Sequence, residues 1–265
     1  MTSPASPLGN LIHQHKDEEG PIFIYQNHNL RYLTFGNSTE QSCLTIDKPH
    51  RLEHAYTQAM MLSLLFKKDI RSALLLGLGG GSLARALRYF REKLKIDAIE
   101  YRQSVIDIAK HYFDLPDDTG FKVFCDDASQ YIKSTEKLYD LIFADLYLPD
   151  GMDEAQLNDS FLENCQQQLV DNGILVINFW SNDFQQTLLR QQALKRIFDE
   201  RILNLQVHGG NTITFAFKNE LPALNKKALF ADAQQLGLKL DIPLQRLARN
   251  FWMLNAAVLQ TGRYR

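Results

Sequence analysis

Cysteine is scarce in this chain. Cys43, Cys125 and Cys165 are an odd number among 265 residues, at wide and unpatterned spacings. That excludes a disulfide framework and a paired-cysteine zinc site, and it suits a reducing compartment. An excess of either charge is also lacking. The formal net charge is -2 and the basic residues are scattered, so no electrostatic footprint for DNA or RNA exists. No apolar run approaches the roughly 20 residues that span a bilayer. The start, Met1 to Asn10, is polar, holds two prolines and lacks the charged-then-apolar order of a signal segment. Repeats and low-complexity tracts are missing as well. These absences predict a soluble, cytoplasmic protein with no nucleic-acid or membrane partner. Apolar residues are plentiful at 45%, enough for one large domain or one with a small appendage.

The first twenty residues read as a loosely held arm. Ile22–Tyr25, the turn-prone Gln26-Asn27-His28-Asn29 and Leu30–Phe35 give a hairpin signal, and Ser42–Ile46 reads as a third short strand. Tyr56, Met60, Leu62 and Leu65 predict a helix from His54 to Phe66. Strand candidates then alternate with helical stretches at 72–77, 95–100, 121–125, 139–145 and 173–179. Such alternation predicts a doubly wound, mostly parallel sheet covered on both faces. Ile202–Val207 and Thr212–Phe217 suit an antiparallel edge, and Leu244–Leu259 a helix packed on the main body. The expected division is a small N-terminal β domain over 1–52 and an α/β domain over 53–265.

The most informative run is Leu74-Leu75-Leu76-Gly77-Leu78-Gly79-Gly80-Gly81-Ser82, an apolar strand emptying into a glycine turn before a helix. Such a turn can present backbone N–H groups and a helix N-terminus to a nucleotide-like ligand. Glu100 closes the next apolar run, where a carboxylate accepts hydrogen bonds from both ribose hydroxyls. Phe121–Cys125 leads into Asp126-Asp127-Ala128, where a carboxylate can accept the adenine amine, and Tyr139–Ala144 delivers Asp145 to the same edge. Ligands of open α/β sheets bind at that edge. Dinucleotide folds want Gly-x-Gly-x-x-Gly, and here Ser82 stands at the last glycine. The spacing Gly77-x-Gly79-x-Gly81 is instead that of class I methyltransferase-like folds binding S-adenosylmethionine, with no pyrophosphate to house.

These segments, with Ala98–Phe113, Val123–Ile132, Tyr139–Pro149 and Asn172–Asn178, resemble the spermidine/spermine synthase family of polyamine aminopropyltransferases, over most of the chain to about Lys218. The resemblance implies a small β domain joined to a class I methyltransferase-like, Rossmann-like domain, and a homodimer. It also implies aminopropyl transfer from decarboxylated S-adenosylmethionine to a small amine acceptor. By it, Glu100 would hold ribose and Asp126, with Asp127, adenine. Gln41 would match the family glutamine that touches the nucleoside, and Tyr56 the tyrosine of the family's Tyr-His-Glu motif. Asp145, with Tyr56 and Tyr147, would face the acceptor. Tyr56 suits core packing equally well. Asp150 and Asp153 read rather as loop solubility and a cap for a helix over 154–169.

Three family acids are absent. The glycine-loop aspartate falls on Gly80, the glutamate of Tyr-His-Glu on Gln58, and the second aspartate of Asp-Ser-Ser-Asp-Pro on Leu148. A polyamine is cationic near neutrality, with amine pKa values about that of lysine, roughly 10. It must shed a proton before its nitrogen attacks the carbon beside the sulfonium. Removing a positioned base costs about two to four decades in rate. Two expectations follow. Without the Gly80 carboxylate, loop N–H groups would welcome intact S-adenosylmethionine, or its thioether products such as methylthioadenosine, at least as well as the decarboxylated form. The alternative to alkyl transfer is an inactive nucleoside-binding homologue acting as a sensor or structural protein. His50-Arg51-Leu52-Glu53-His54 has the spacing of one zinc-protease class. It lacks a third protein ligand and reads as a surface helix entry, so no metal is expected.

Overall fold

The computed structural model describes residues 7–36, 40–148, 151–152, 158–180 and 184–261. The chain opens with four strands, β1 (Asn10–Asp17), β2 (Gly20–Asn27), β3 (Leu30–Phe35) and β4 (Glu40–Thr45), paired in that order as an antiparallel sheet. The hairpin between β2 and β3 forms where expected, with His28 at φ 51 in its turn. The expected arm, however, is largely strand. Residues 10–17 pair with β2 from Asn10↔Gln26 to Asp17↔Gly20. Its side chains face solvent on both sides of an edge strand, so no period-two hydrophobic signal marks it.

A short helix, α1 (Ala55–Met60), and a 3-10 turn over Met61–Leu65 replace the single helix expected for 54–66. The second sheet then builds from β5 (Ser72–Leu76), α2 (Ser82–Phe90), β6 (Lys95–Glu100), α3 (Gln103–Tyr112), β7 (Phe121–Cys125), α4 (Ala128–Ser134) and β8 (Tyr139–Ala144). Two-residue strands β9 (Tyr147–Leu148) and β10 (Gly151–Met152) pair next, followed by α5 (Asp159–Gln167) and β11 (Leu169–Trp180). The chain closes with α6 (Phe184–Ile197), β12 (Ile202–Gln206), β13 (Asn211–Phe217), α7 (Lys226–Leu240) and α8 (Leu244–Thr261). Asn158 caps α5, and Asp150 and Asp153 lie outside the described residues.

The seven-stranded sheet runs β12-β13-β11-β8-β5-β6-β7. β13 alone is reversed against the rest, because it inserts between β11 and β12 rather than adding at the edge. The central strands are apolar on both faces. Ala73 and Leu75, with Leu141 and Phe143, join one core, while Leu74 and Leu76, with Ile142 and Ala144, join the other. Continuous burial of this kind is why these strands read as unbroken apolar runs. α8 supplies buried Phe251 and Trp252 to the first core, as expected of the tail. Ile22, Ile24, Leu33, Phe35 and Leu44 of the small sheet pack on Val105, Ile108 and Phe113. That contact carries β4 over the carboxyl ends of β5 and β6.

Candidate active site

The carboxyl ends of β5, β6, β7 and β8 and the underside of β4 enclose a cavity of about 310 Å³. That is the size of a small-molecule site. Of the residues singled out from the sequence, Gln41, Tyr56, Gly77, Gly79, Glu100, Asp126, Asp127 and Asp145 all line it. Gly81 shapes the loop without lining the cavity: at φ 74 it stands at the N-cap of α2, and a Cβ there would sit 2.3 Å from Leu115 Cδ1. Tyr147 has its backbone in β9, and its side chain, like that of Leu148, lies outside the described residues.

The glycine loop departs from expectation in where its donors point. Gly77 N–H donates to Ile99 O (3.0 Å) and Gly81 N–H to Leu78 O (2.8 Å). Leu78 and Gly79 N–H both donate to Glu100 Oε2 at 3.3 Å, and Gly80 N–H donates to Ser42 Oγ at 2.9 Å. Every N–H from Gly77 to Gly81 is therefore partnered inside the protein. Gly80 also has no room for a side chain: a Cβ would meet Ser42 Cβ at 2.8 Å and Phe113 Cδ1 at 3.0 Å. Buried Arg85 fixes the loop from behind, donating to Pro49 O (2.7 Å), Phe113 O (2.6 Å) and the Gly80 carbonyl. Burial lowers the Arg85 pKa to about 10.

Glu100 ends β6 with Oε1 accepting from Arg102 N–H at 3.1 Å and Oε2 facing the loop. Burial raises its carboxyl pKa, and the three backbone donors oppose that rise. Beyond β7, Asp126 is exposed and accepts from the Asp127 N–H at 2.8 Å. The Asp127 carboxylate caps α4 through Gln130 N–H at 2.9 Å. Asp126 is therefore the more exposed of the two acids.

At the other end of the cavity, Asp145 follows β8. Its Oδ1 accepts from Asn178 Nδ2 at 3.0 Å, and Asn178 Oδ1 accepts from Asn211 Nδ2 at 2.9 Å. Tyr56 also hydrogen-bonds to Asp145, so its ring is a wall of the site as well as packing against the core. Burial raises the Asp145 pKa, opposed by the bonds from Asn178 and Tyr56 and the charge of His54. His54 was passed over in the sequence as part of a surface helix entry, which the structure corrects. Residues 50–54 are non-helical, with His54 at the N-cap of α1 and His50 stacked 3.6 Å from the Tyr89 ring. His54 lines the cavity, pairs through Nε2 with Glu40 Oε1 at 2.7 Å, and stacks on Tyr56 with ring centroids 5.5 Å apart. Gln58, in the family's glutamate position, turns away and donates to Leu52 O at 2.7 Å. Among the described residues no cluster of three or more His, Cys, Asp or Glu could hold a metal, and no helix is long and apolar enough to cross a membrane.

A mostly parallel seven-stranded sheet with one reversed strand, and acids at successive strand ends around one cavity, define the S-adenosylmethionine methyltransferase-like class of α/β folds. Human methyltransferase-like protein 13, solved in complex with SAH, is 25% identical, with a TM-score of 0.63 over 72% of this chain and 94% of that one. A probable spermidine synthase from Corynebacterium glutamicum superposes with a TM-score of 0.73 over 88% of both chains, at 16% identity, and so speaks to the fold. The model of the spermine/spermidine synthase domain matches residues 53–222, and the chain belongs to that family. The polyamine aminopropyltransferase of Neisseria meningitidis is 30% identical over 229 residues, 85% of this chain and 87% of the relative.

Proposed function

We propose that this chain transfers an alkyl group, in the first instance aminopropyl, from a sulfonium nucleoside to a small amine. The observation that carries this reading is the acidic lining of the cavity, with Glu100, Asp126, Asp127 and Asp145 among its residues. At one end Asp145 offers a carboxylate, with His54 and its partner Glu40 beside it, while the loop keeps its N–H groups for the protein. An ammonium is welcome there and a carboxylate is not. That favours decarboxylated S-adenosylmethionine over the intact form, the reverse of the expectation drawn from Gly80 alone. The name of the Neisseria meningitidis relative, polyamine aminopropyltransferase, agrees with an amine acceptor and an aminopropyl donor.

The residues present fit such a nucleoside. Glu100 accepts a ribose hydroxyl on the lone pair that its three backbone donors leave over, and Asp126 accepts the adenine amine. Gln41 reaches the cavity from β4. The bound sulfonium supplies a carbon already activated toward attack, with a neutral thioether as leaving group. The protein then has to hold the acceptor nitrogen in line and dry, which is where most of the rate arises. Asp145, fixed by Asn178 and Tyr56, holds the cationic acceptor, and its raised pKa suits a group that also exchanges protons.

Calorimetry with decarboxylated S-adenosylmethionine, S-adenosylmethionine and methylthioadenosine, followed by transfer assays with diamines, tests the reading. Tighter binding of the decarboxylated donor and transfer to an amine are expected. Preference for the intact donor with methyl transfer would overturn the aminopropyl assignment. Binding without turnover would favour the sensor alternative.

A further inference from the structure

At the acceptor end of the cavity His54 lines the wall, and behind it Glu40 pairs with the ring; both come from elements outside the strand-end acids. Glu40 leads β4, and His54 precedes α1, so the small sheet and the α/β body each contribute one member. The 2.7 Å contact joins Glu40 Oε1 to His54 Nε2. An ionised carboxylate only accepts hydrogen bonds, so Nε2 must carry the proton of this pair. The neutral ring then has Nδ1 as its lone-pair nitrogen, and it makes no N-cap bond to α1. A carboxylate that holds one imidazole nitrogen orients the other as a base and stabilises the imidazolium once formed. The ring is also fixed in plane by its stack on Tyr56, 12° from parallel, whose partner is Asp145.

We propose that His54, oriented by Glu40, takes the proton from the acceptor ammonium before transfer. This rests on the alkyl-transfer reading above. His54 Nδ1 removes one proton from the bound ammonium, and the imidazolium formed is paired with the Glu40 carboxylate. The freed amine lone pair forms the new C–N bond as the C–S bond breaks, and that bonding pair stays on sulfur as the thioether. The product leaves as a secondary ammonium, and His54 returns its proton to solvent. Asp145 holds the cation through these steps. The titratable groups around the ring are Glu40 on β4, Tyr56 on α1 and Asp145 beyond β8; farther out, Cys43 on β4 and Tyr32 on β3 both feel the charges of Glu40 and Glu53, and Glu53 pairs with Arg51. Cys43 stays a thiol in that company: burial, with the negative charges of Glu40 and Glu53, raises its pKa to about 12. Two of the absent family acids have no open replacement at their own positions, since Gln58 donates to Leu52 O and a side chain at position 80 would collide with Ser42.

The test measures transfer from decarboxylated S-adenosylmethionine to 1,4-diaminobutane from pH 6 to 10 for wild type, His54→Gln and Glu40→Gln. At pH 7 His54→Gln should lose about 10²–10⁴-fold in kcat. The deficit should shrink toward pH 10, where solvent deprotonates the amine. Nucleoside affinity by calorimetry should stay within threefold of wild type, which also shows that the variant is folded. Glu40→Gln should lose roughly tenfold, with the acid limb of its kcat profile displaced. Equal kcat and an unchanged pH profile in both variants, with wild type active, would overturn the role of His54 alone. A wild type that transfers nothing to any amine overturns the parent reading and this one with it.

Discussion

Restoring the aspartate that the family carries at position 80 is an instructive perturbation, because sequence and structure give opposite forecasts for Gly80→Asp. From the sequence, the new carboxylate should meet the ammonium of a decarboxylated donor and sharpen selectivity. From the structure, the Cβ alone lands 2.8 Å from Ser42 Cβ and 3.0 Å from Phe113 Cδ1, and neither neighbour is the free end of a long side chain. Overpacking of this kind costs about 1–3 kcal/mol. Shifting β4 to relieve it would break the 2.9 Å bond from Gly80 N–H to Ser42 Oγ, about 1 kcal/mol more. A centre of about 3 kcal/mol corresponds to a fall in Tm of roughly 6–12 °C for a domain of this size. Scanning calorimetry of Gly80→Asp should show that fall, with donor selectivity unimproved, and Ser42→Gly in the same chain should recover part of it. An unchanged Tm together with a tenfold gain in preference for the decarboxylated donor would refute the reasoning.

Two further outcomes follow from charge. Asp145 has a folded pKa raised by burial, so the folded state holds its proton more tightly than the unfolded state does. Its contribution to stability is therefore largest at low pH and declines as pH rises from the unfolded value through the folded one. Asp145→Asn should flatten that decline in a pH series of thermal melts while abolishing amine transfer; a decline of the same slope would contradict it. Asp17 is the opposite case. Burial would raise its pKa, but bonds from Arg102 and Ser104 prevail and lower it. Its contribution is present above the unfolded carboxylate value and lost as pH falls through the folded one. Asp17→Asn should make acid unfolding less steep and free β1, read as faster hydrogen exchange over residues 10–17.

The parallel sheet was legible because β5, β6, β8 and β11 carry buried side chains on both faces and write themselves as apolar runs, the first three ended by glycine or acid. Glu100, Asp126 and Asp145 were legible for the same reason, being strand-end acids at a fixed edge. β1 was not, because it is held by edge pairing and by the Arg102–Asp17 ion pair, with Arg102 Nη2 2.6 Å from Asp17 Oδ1 across 85 residues of chain. No local pattern encodes such a contact. Glu40 and His54 were missed likewise: each looks like solvated polarity until β4 folds over the cavity. A glycine run specifies backbone shape, and only the positions of Ser42 and Glu100 say which way its N–H groups face.

Glu100 plays a part that a ribose contact alone would not require. It gathers the Leu78, Gly79 and Arg102 amides around one carboxylate. The acid is thus a mould for the loop, and in the proposed function the ribose would draw on the same pair of oxygens. Glu100→Ala would empty the mould and deform the wall of the cavity, so lost affinity in that variant would report the shape of the turn as much as any missing ribose bond. Glu100→Gln keeps an acceptor oxygen for the amides and alters mainly the charge, which makes it the cleaner probe of recognition. A residue bound by two such duties has few substitutes, and the loop and the ribose site can change only together.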